Sequence, residues 1–152
     1  MSGSAANALA FLFENGQGVA KDVKQSVFWY TQAADANFAM AQGNLGRLYN
    51  TGTAFKKDPV QAYMWLKLAT FQNDPMGQHI LSEALSGDTF TAQEKAEGDR
   101  LADEFRAKHN LPPLSRLRPP RRPRTGLPPP LPQPWPRLLR PSQRPLLRRR
   151  GL

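Results

Sequence analysis

Residues 9–34 read LAFLFENGQGVAKDVKQSVFWYTQAA, and residues 45–70 read LGRLYNTGTAFKKDPVQAYMWLKLAT. A shift of 36 positions aligns the two segments and the residues just before them. The identical positions are Ala5 with Ala41, Leu9 with Leu45, Leu12 with Leu48, Gly16 with Gly52, Lys21 with Lys57, Asp22 with Asp58, Gln25 with Gln61, Trp29 with Trp65, and Ala33 with Ala69. A period of this length indicates a repeat protein in which each unit is one supersecondary structure.

The segment NGQGVAKD at residues 15–22 is open to two interpretations. A phosphate-binding loop has glycines before a helix, followed by a Lys and a hydroxyl residue. Here the glycines instead follow an apolar helical pattern, where Gly16 suits a helix end that requires positive φ. Asp22 then suits the N-cap of the next helix, and the second copy keeps both Gly52 and Asp58. The repetition favours a hinge between two helices.

The apolar spacing within each unit is helical, so the sequence predicts an all-α fold. Pro59 and Pro75 each follow an Asp, which is typical of an N-cap and a first helical position. Thr91 and Glu94 form a capping box that opens a last helix ending near Lys108. We predict first helices at about 5–15, 38–50 and 75–86, and second helices at about 22–34 and 58–72. The fold is then an α/α solenoid of about two and a half helix pairs plus a C-terminal capping helix.

Two kinds of repeated position are assigned to packing rather than to binding. Trp29 and Trp65 lie between small residues on the second helices, so we expect their rings to fill core space. The position shared by Ala10, Gly46 and Ser82 is always small, which predicts a close approach between helices.

Residues 5–72 resemble Sel1-like repeats, tetratricopeptide relatives that are built from α/α pairs. The resemblance rests on L-A-x-L-F-x-x-G-x-G-V-x-x-D-x-x-x-S-x-x-W-Y-x-x-A-A at 9–34 and on its second copy at 45–69. The second copy departs from this pattern at residues 53–55 and at Leu68. The resemblance implies repeats at about 5–36 and 37–72, a partial repeat with a capping helix at 73–109, and a function as an adaptor that assembles other proteins.

Charge and proline are distributed unevenly along the chain. Residues 1–110 hold 10 Lys and Arg and 12 Asp and Glu, whereas residues 111–152 hold 11 Arg, no acidic residue and 13 of the 15 prolines. We therefore place the domain boundary at residue 110 and predict a disordered Pro/Arg-rich tail at 111–152. Such a tail suits nucleic-acid or polyanion binding, with Trp135 available for stacking, or PxxP recognition. Its composition is equally what GC-rich DNA encodes when read in the wrong frame.

The sequence contains no recognisable catalytic or cofactor site. Cysteine is absent, and the two histidines, His79 and His109, are thirty residues apart without a metal-binding motif. We therefore predict a protein that is not an enzyme and needs no cofactor or metal. The N-terminus lacks the basic region of a signal peptide and no membrane span is evident, so the default expectation is a cytoplasmic protein of undetermined oligomeric state.

The expected binding surface is the concave face that the first helices of a solenoid line. Residues at equivalent positions on this face differ between units, as a partner-specific surface would require. Asn44 and Arg47 lie one turn apart and suit peptide backbone or a carboxylate. The candidate residues for binding a protein or peptide are Phe11, Met40, Asn44, Arg47 and Ile80.

Overall fold

The computed structural model describes residues 1–117, in which six α-helices and one short 3-10 turn form the fold and no strand occurs. The helices are α1 (Gly3–Asn15), α2 (Val23–Asp35), α3 (Ala39–Thr51), α4 (Pro59–Phe71), α5 (Pro75–Ser86) and α6 (Ala92–Lys108), and the 3-10 turn is Leu114–Arg116. The predicted all-α solenoid is confirmed. The part of the predicted tail from residue 118 onward lies outside the described residues, and so do Trp135 and the PxxP segments at 120–123 and 129–132.

Each of the first two helix pairs is closed by the same hinge. Gly16 and Gly52 end α1 and α3 with φ values of 70° and 71°, in the left-handed region that favours glycine. Six residues later, Asp22 and Asp58 cap α2 and α4 by accepting hydrogen bonds from backbone N–H groups. The Asp22 N–H also donates to the Phe13 carbonyl at 2.9 Å. NGQGVAKD is thus the hinge of a helical hairpin.

A second repeated turn connects one unit to the next. Asn37 and Asn73 follow α2 and α4 with φ values of 59° and 61°. In each case the next N–H reaches back five residues, from Phe38 to Ala33 and from Asp74 to Ala69, at 3.0 Å. Asn110 has φ 54° and ends α6 in the same way. Because asparagine tolerates this conformation, the three turns have equivalent geometry without glycine.

The hinges bring α3 and α4 into close contact at Gly46. A Cβ atom at this glycine would lie 2.6 Å from the Leu66 Cγ and 3.0 Å from the Leu66 backbone nitrogen. Ala10, at the equivalent position of α1, is completely buried, whereas Ser82 is exposed. The small position is therefore a buried packing position in the first two units and not in the third.

The main core runs along the two repeats and continues to α6. Trp65 is buried and meets the Phe105 ring edge-on at a centroid distance of 5.3 Å. Trp29 is half-buried and packs in the same way against Phe28 at 5.1 Å. The fully buried large side chains of this core are Tyr30, Leu45, Leu48 and Leu68. Tryptophan thus contributes to the core in both repeats, more completely in the second.

The third unit closes the C-terminal side of the array. Helix α5 packs on α3 and α4, and α6 lies against α4, where Gly98 permits close contact with Tyr63. Beyond the predicted boundary at residue 110, Leu114 is buried and its N–H donates to Asp103 Oδ1 at 2.7 Å. Residues 111–117 therefore pack against α6.

Gly46→Ala tests whether the close approach of α3 and α4 is needed. We expect the free energy of unfolding to fall by about 1–2 kcal/mol. Overpacking costs about 1–3 kcal/mol, and the higher helix propensity of alanine offsets up to about 1 kcal/mol of this cost. Urea denaturation gives the value. Gly87→Ala is the matched control, since φ is −87° there and its nearest neighbour is 3.5 Å away. Equal stability of the Gly46 variant and the wild type would contradict the packing described here.

Candidate partner-binding groove

A groove of about 700 Å³ runs along the concave side of the solenoid. Residues of α1 and α3 supply most of its lining, and Met76 of α5 also contributes. The lining residues are Asn7, Ala8, Phe11, Leu12, Glu14, Asn15, Met40, Asn44, Arg47 and Met76. First helices therefore line this surface, as is expected of a helical solenoid.

Four of the five candidate binding residues lie together in this groove. Phe11 and Met40 are about half exposed, at 48% and 49%, and present apolar surface to solvent. Asn44 and Arg47 also line the groove, one turn apart on α3. Ile80 does not line it, because its side chain packs against the smaller core cluster around Leu81 and Phe90. The assignment of the four to partner binding remains a prediction.

The floor of the groove is a pair of buried amides. Asn44 is only 7% exposed, and its Nδ2 donates to Asn7 Oδ1 at 3.1 Å. The Asn7 Nδ2 in turn donates to the Met40 sulfur at 3.5 Å. This chain of contacts links α1 to α3 and reaches the Met40 side chain. Asn44 is therefore engaged mainly within the protein.

Arg47 is held at the other end of the groove by Glu14. The guanidinium forms an ion pair with Glu14 Oε1, and the Tyr30 hydroxyl donates to Glu14 Oε2 at 2.9 Å. Burial, and then the hydrogen bond to Glu14, raises the pKa of Tyr30 well above its ordinary value. A neutral phenol and a paired guanidinium thus satisfy both carboxylate oxygens. The positive charge of Arg47 is balanced within the groove.

Sequence comparison between units missed Glu14 and Asn7. A strict shift of 36 residues places Arg47 beside Phe11, whereas the actual contact is with Glu14, almost one turn further along α1. The usable signal was opposite charge on neighbouring first helices, together with the Asn pair at positions 7 and 44. The Asn44 contact lies one residue before the equivalent position on α1, and the Arg47 contact lies three residues after it, so the two helices do not meet at equivalent positions.

The two histidines lie outside the groove. His109 stacks on Phe105 at a centroid distance of 4.2 Å and contacts two backbone carbonyls, while His79 is exposed near Glu83. Within residues 1–117 no group of three or more His, Cys, Asp or Glu side chains could hold a metal ion. No helix in that part of the chain is both long and apolar enough to cross a membrane.

Comparison with known proteins gives one family and two informative structures. The family model of the Sel1 repeat matches residues 3–38 and 39–74. The protective antigen c5321 of uropathogenic Escherichia coli strains, which displays an SLR fold, is 26% identical with a TM-score of 0.64, over 70% of this chain and 23% of that one. A Sel1 repeat protein from Oxalobacter formigenes is 34% identical with a TM-score of 0.56, over 68% of this chain and 44% of that one.

The chain therefore spans less than half the length of either solved structure. A search of curated protein sequences finds no match.

The raised pKa of Tyr30 predicts a specific loss of stability in alkali. The ordinary phenol value is 10.0, and a folded-state pKa above it means that this contribution is complete below pH 10 and declines as the pH rises further. Tyr30→Phe should therefore flatten the fall of the urea midpoint above pH 10. Burial and Asp58 also raise the pKa of Tyr49, so Tyr49→Phe should flatten the fall as well, and the Tyr30 contribution is the difference between Tyr49→Phe and the variant that carries both substitutions. An unchanged slope in Tyr30→Phe would contradict the assignment.

Proposed function

Residues 3–74 are two Sel1 repeats, and from this premise we propose that the chain is a non-enzymatic adaptor that binds a protein or peptide in the groove between α1 and α3. Sel1 repeats are generally protein–protein interaction scaffolds, and the fold is typically non-catalytic. The repeat alone does not say which surface is used. The distribution of apolar and charged side chains supports the groove.

The observation that carries the proposal is a concentration of exposed apolar side chains. Six large apolar residues are exposed within residues 1–117, and three of them, Phe11, Leu12 and Met40, line the groove. Contiguous apolar surface of this kind marks interaction sites on soluble domains. A volume of about 700 Å³ lies in the range of sites that enclose a ligand group. The groove can therefore take one or two apolar side chains of a partner.

Charge indicates which partner chemistry fits best. The two ionised groups of the lining, Glu14 and Arg47, are paired with each other, so neither an acidic nor a basic anchor gains a free counter-charge. Separating the pair would also leave Glu14 with only its Tyr30 bond. The favoured partner is a segment that inserts an uncharged Leu, Met or Phe side chain between Phe11 and Met40. Methionine suits this contact because its flexible thioether adapts to different shapes.

Polyanion binding by the tail is a separate prediction. It rests on the eleven arginines and absent acids of residues 111–152. Most of that segment lies outside the described residues, so the prediction remains one from composition.

Selection of peptides from a displayed random library tests the groove. We expect the selected peptides to share an apolar anchor without a required acidic residue. Met40→Glu should weaken their binding by at least about tenfold, because burying one such side chain contributes about 1.5–3 kcal/mol. Fluorescence anisotropy of labelled peptides measures the affinity.

Leu85→Glu is the matched control for this experiment. Leu85 is 43% exposed on α5 and is not part of the groove lining, so it resembles Met40 in exposure and in the charge introduced. Equal weakening by the two variants would indicate a non-specific apolar effect. Unchanged binding to Met40→Glu would place the partner elsewhere. Either result would contradict the proposal.

A further inference from the structure

Residues 111–117 follow the capping helix α6 and pack against it, and we call them the strap. Leu114 is only 6% exposed and belongs to the main core cluster, and Leu117 is half-buried against the same cluster. Ser115 and Arg116, which lie between them, are exposed. Two leucines three residues apart therefore anchor the strap.

The backbone of the strap places both leucines on one side. Residues Leu114–Arg116 form a 3-10 turn, in which the Leu117 N–H donates to the Leu114 carbonyl at 3.0 Å. Such a turn has three residues per turn, so side chains three positions apart share a face. Pro113 precedes the turn with φ −62° and ψ 148°, an extended conformation that its ring favours. The strap therefore presents the two leucines together from a partly preorganised backbone.

Two side chains of α6, one turn apart, hold the backbone of the strap. The Arg106 Nε donates to the Pro112 carbonyl at 2.6 Å. Asp103 Oδ1 accepts from the Leu114 N–H at 2.7 Å. Both contacts are made to backbone atoms, so they are available to other sequences, whereas the apolar positions select the side chains. This combination is typical of a site that recognises a peptide segment.

The strap is held by few contacts and does not fill its site. Only one of its seven residues is buried, and a segment with few buried contacts opens locally at a low cost in free energy. A cavity of about 350 Å³ lies beside the strap, and its lining on the helices is Lys67, Phe71, Asp99 and Asp103. Ser115 is a small lining residue on the strap. A segment with a larger side chain at that position would gain contacts that the strap lacks.

We propose that the surface of α4 and α6 beneath the strap is a second binding site, for a partner segment that carries two Leu side chains three residues apart in a tight turn. The chain's own strap occupies this site and acts as an autoinhibitory cover. A tethered segment competes at an effective concentration of about millimolar, so the cover excludes weak ligands. The site is separate from the groove, because the residues that line its cavity do not line the groove.

A full-length chain with Leu114→Ser and Leu117→Ser tests whether the site accepts a segment in trans. Without its two anchors the strap should leave the site, while Asp103 remains to hold a backbone. A peptide with the sequence of residues 110–117 should then return the amide NMR signals of Asp103 and Phe71 toward their wild-type positions. The wild type should need at least about tenfold more peptide for any response, because its own strap competes. Circular dichroism confirms that the variant is folded.

The matched control is the same peptide with both leucines replaced by serine, which should leave the signals unchanged. The amide signals of the groove residues Phe11 and Met40 should stay in place with either peptide, which separates this site from the groove. Failure of the leucine peptide to shift the Asp103 and Phe71 signals would overturn the proposal. Equal shifts with the two peptides would overturn it as well.

Hydrogen exchange of the wild-type chain tests the opening of the strap without any substitution. We expect the Leu114 N–H to exchange at least about tenfold faster than the N–H of Leu66, which is fully buried on α4. Equal exchange of the two would mean that the strap leaves its site only when the whole domain unfolds. That result would contradict a cover that a partner segment can displace.

Discussion

The left-handed glycine at the end of each first helix is the constraint on which the structure depends. Gly16 and Gly52 reverse the chain within one turn, and the Asp six residues later begins the returning helix. Because both hinges have the same geometry, the two hairpins place small residues, Ala10 and Gly46, at equivalent buried positions. The packing of α3 against α2 then aligns the first helices side by side. The groove is the concave surface that this alignment produces.

Local signals account for most of the fold that the sequence predicted. Helix ends depend on glycine, aspartate and proline within a few residues, so the predicted bounds of the six helices lie close to the observed ones. The 36-residue repeat presents the same helix-end signals twice, at Gly16 and Asp22 and again at Gly52 and Asp58. The turns at Asn37 and Asn73 were not predicted, because asparagine signals positive φ less strongly than glycine does.

The site was predicted less completely because it depends on contacts between helices, which a 36-residue shift does not specify. Phe11 and Met40 are placed in the groove by helical periodicity alone, and the structure brings them together. The pairing of Arg47 with Glu14 and the packing of Ile80 against the smaller core cluster depend on which sides of neighbouring helices face each other. The packing of residues 111–117 was not predicted either, because their proline-rich composition gave no indication that Leu114 would be buried against α6.

The groove combines two features that bear on the proposed partner. Phe11 and Met40 present exposed apolar surface. The ionised groups Glu14 and Arg47 are paired with each other, so the proposed anchor is an uncharged side chain.

Methyl NMR of the methionines tests the central claim, that the groove is the binding surface. The chain has four methionines, of which Met40 and Met76 line the groove, Met64 is buried in the core and Met1 lies at the N-terminus. Titration with a selected peptide should shift the Met40 and Met76 methyl signals and leave those of Met64 and Met1 in place. Saturable binding that leaves Met40 and Met76 unshifted would contradict the account.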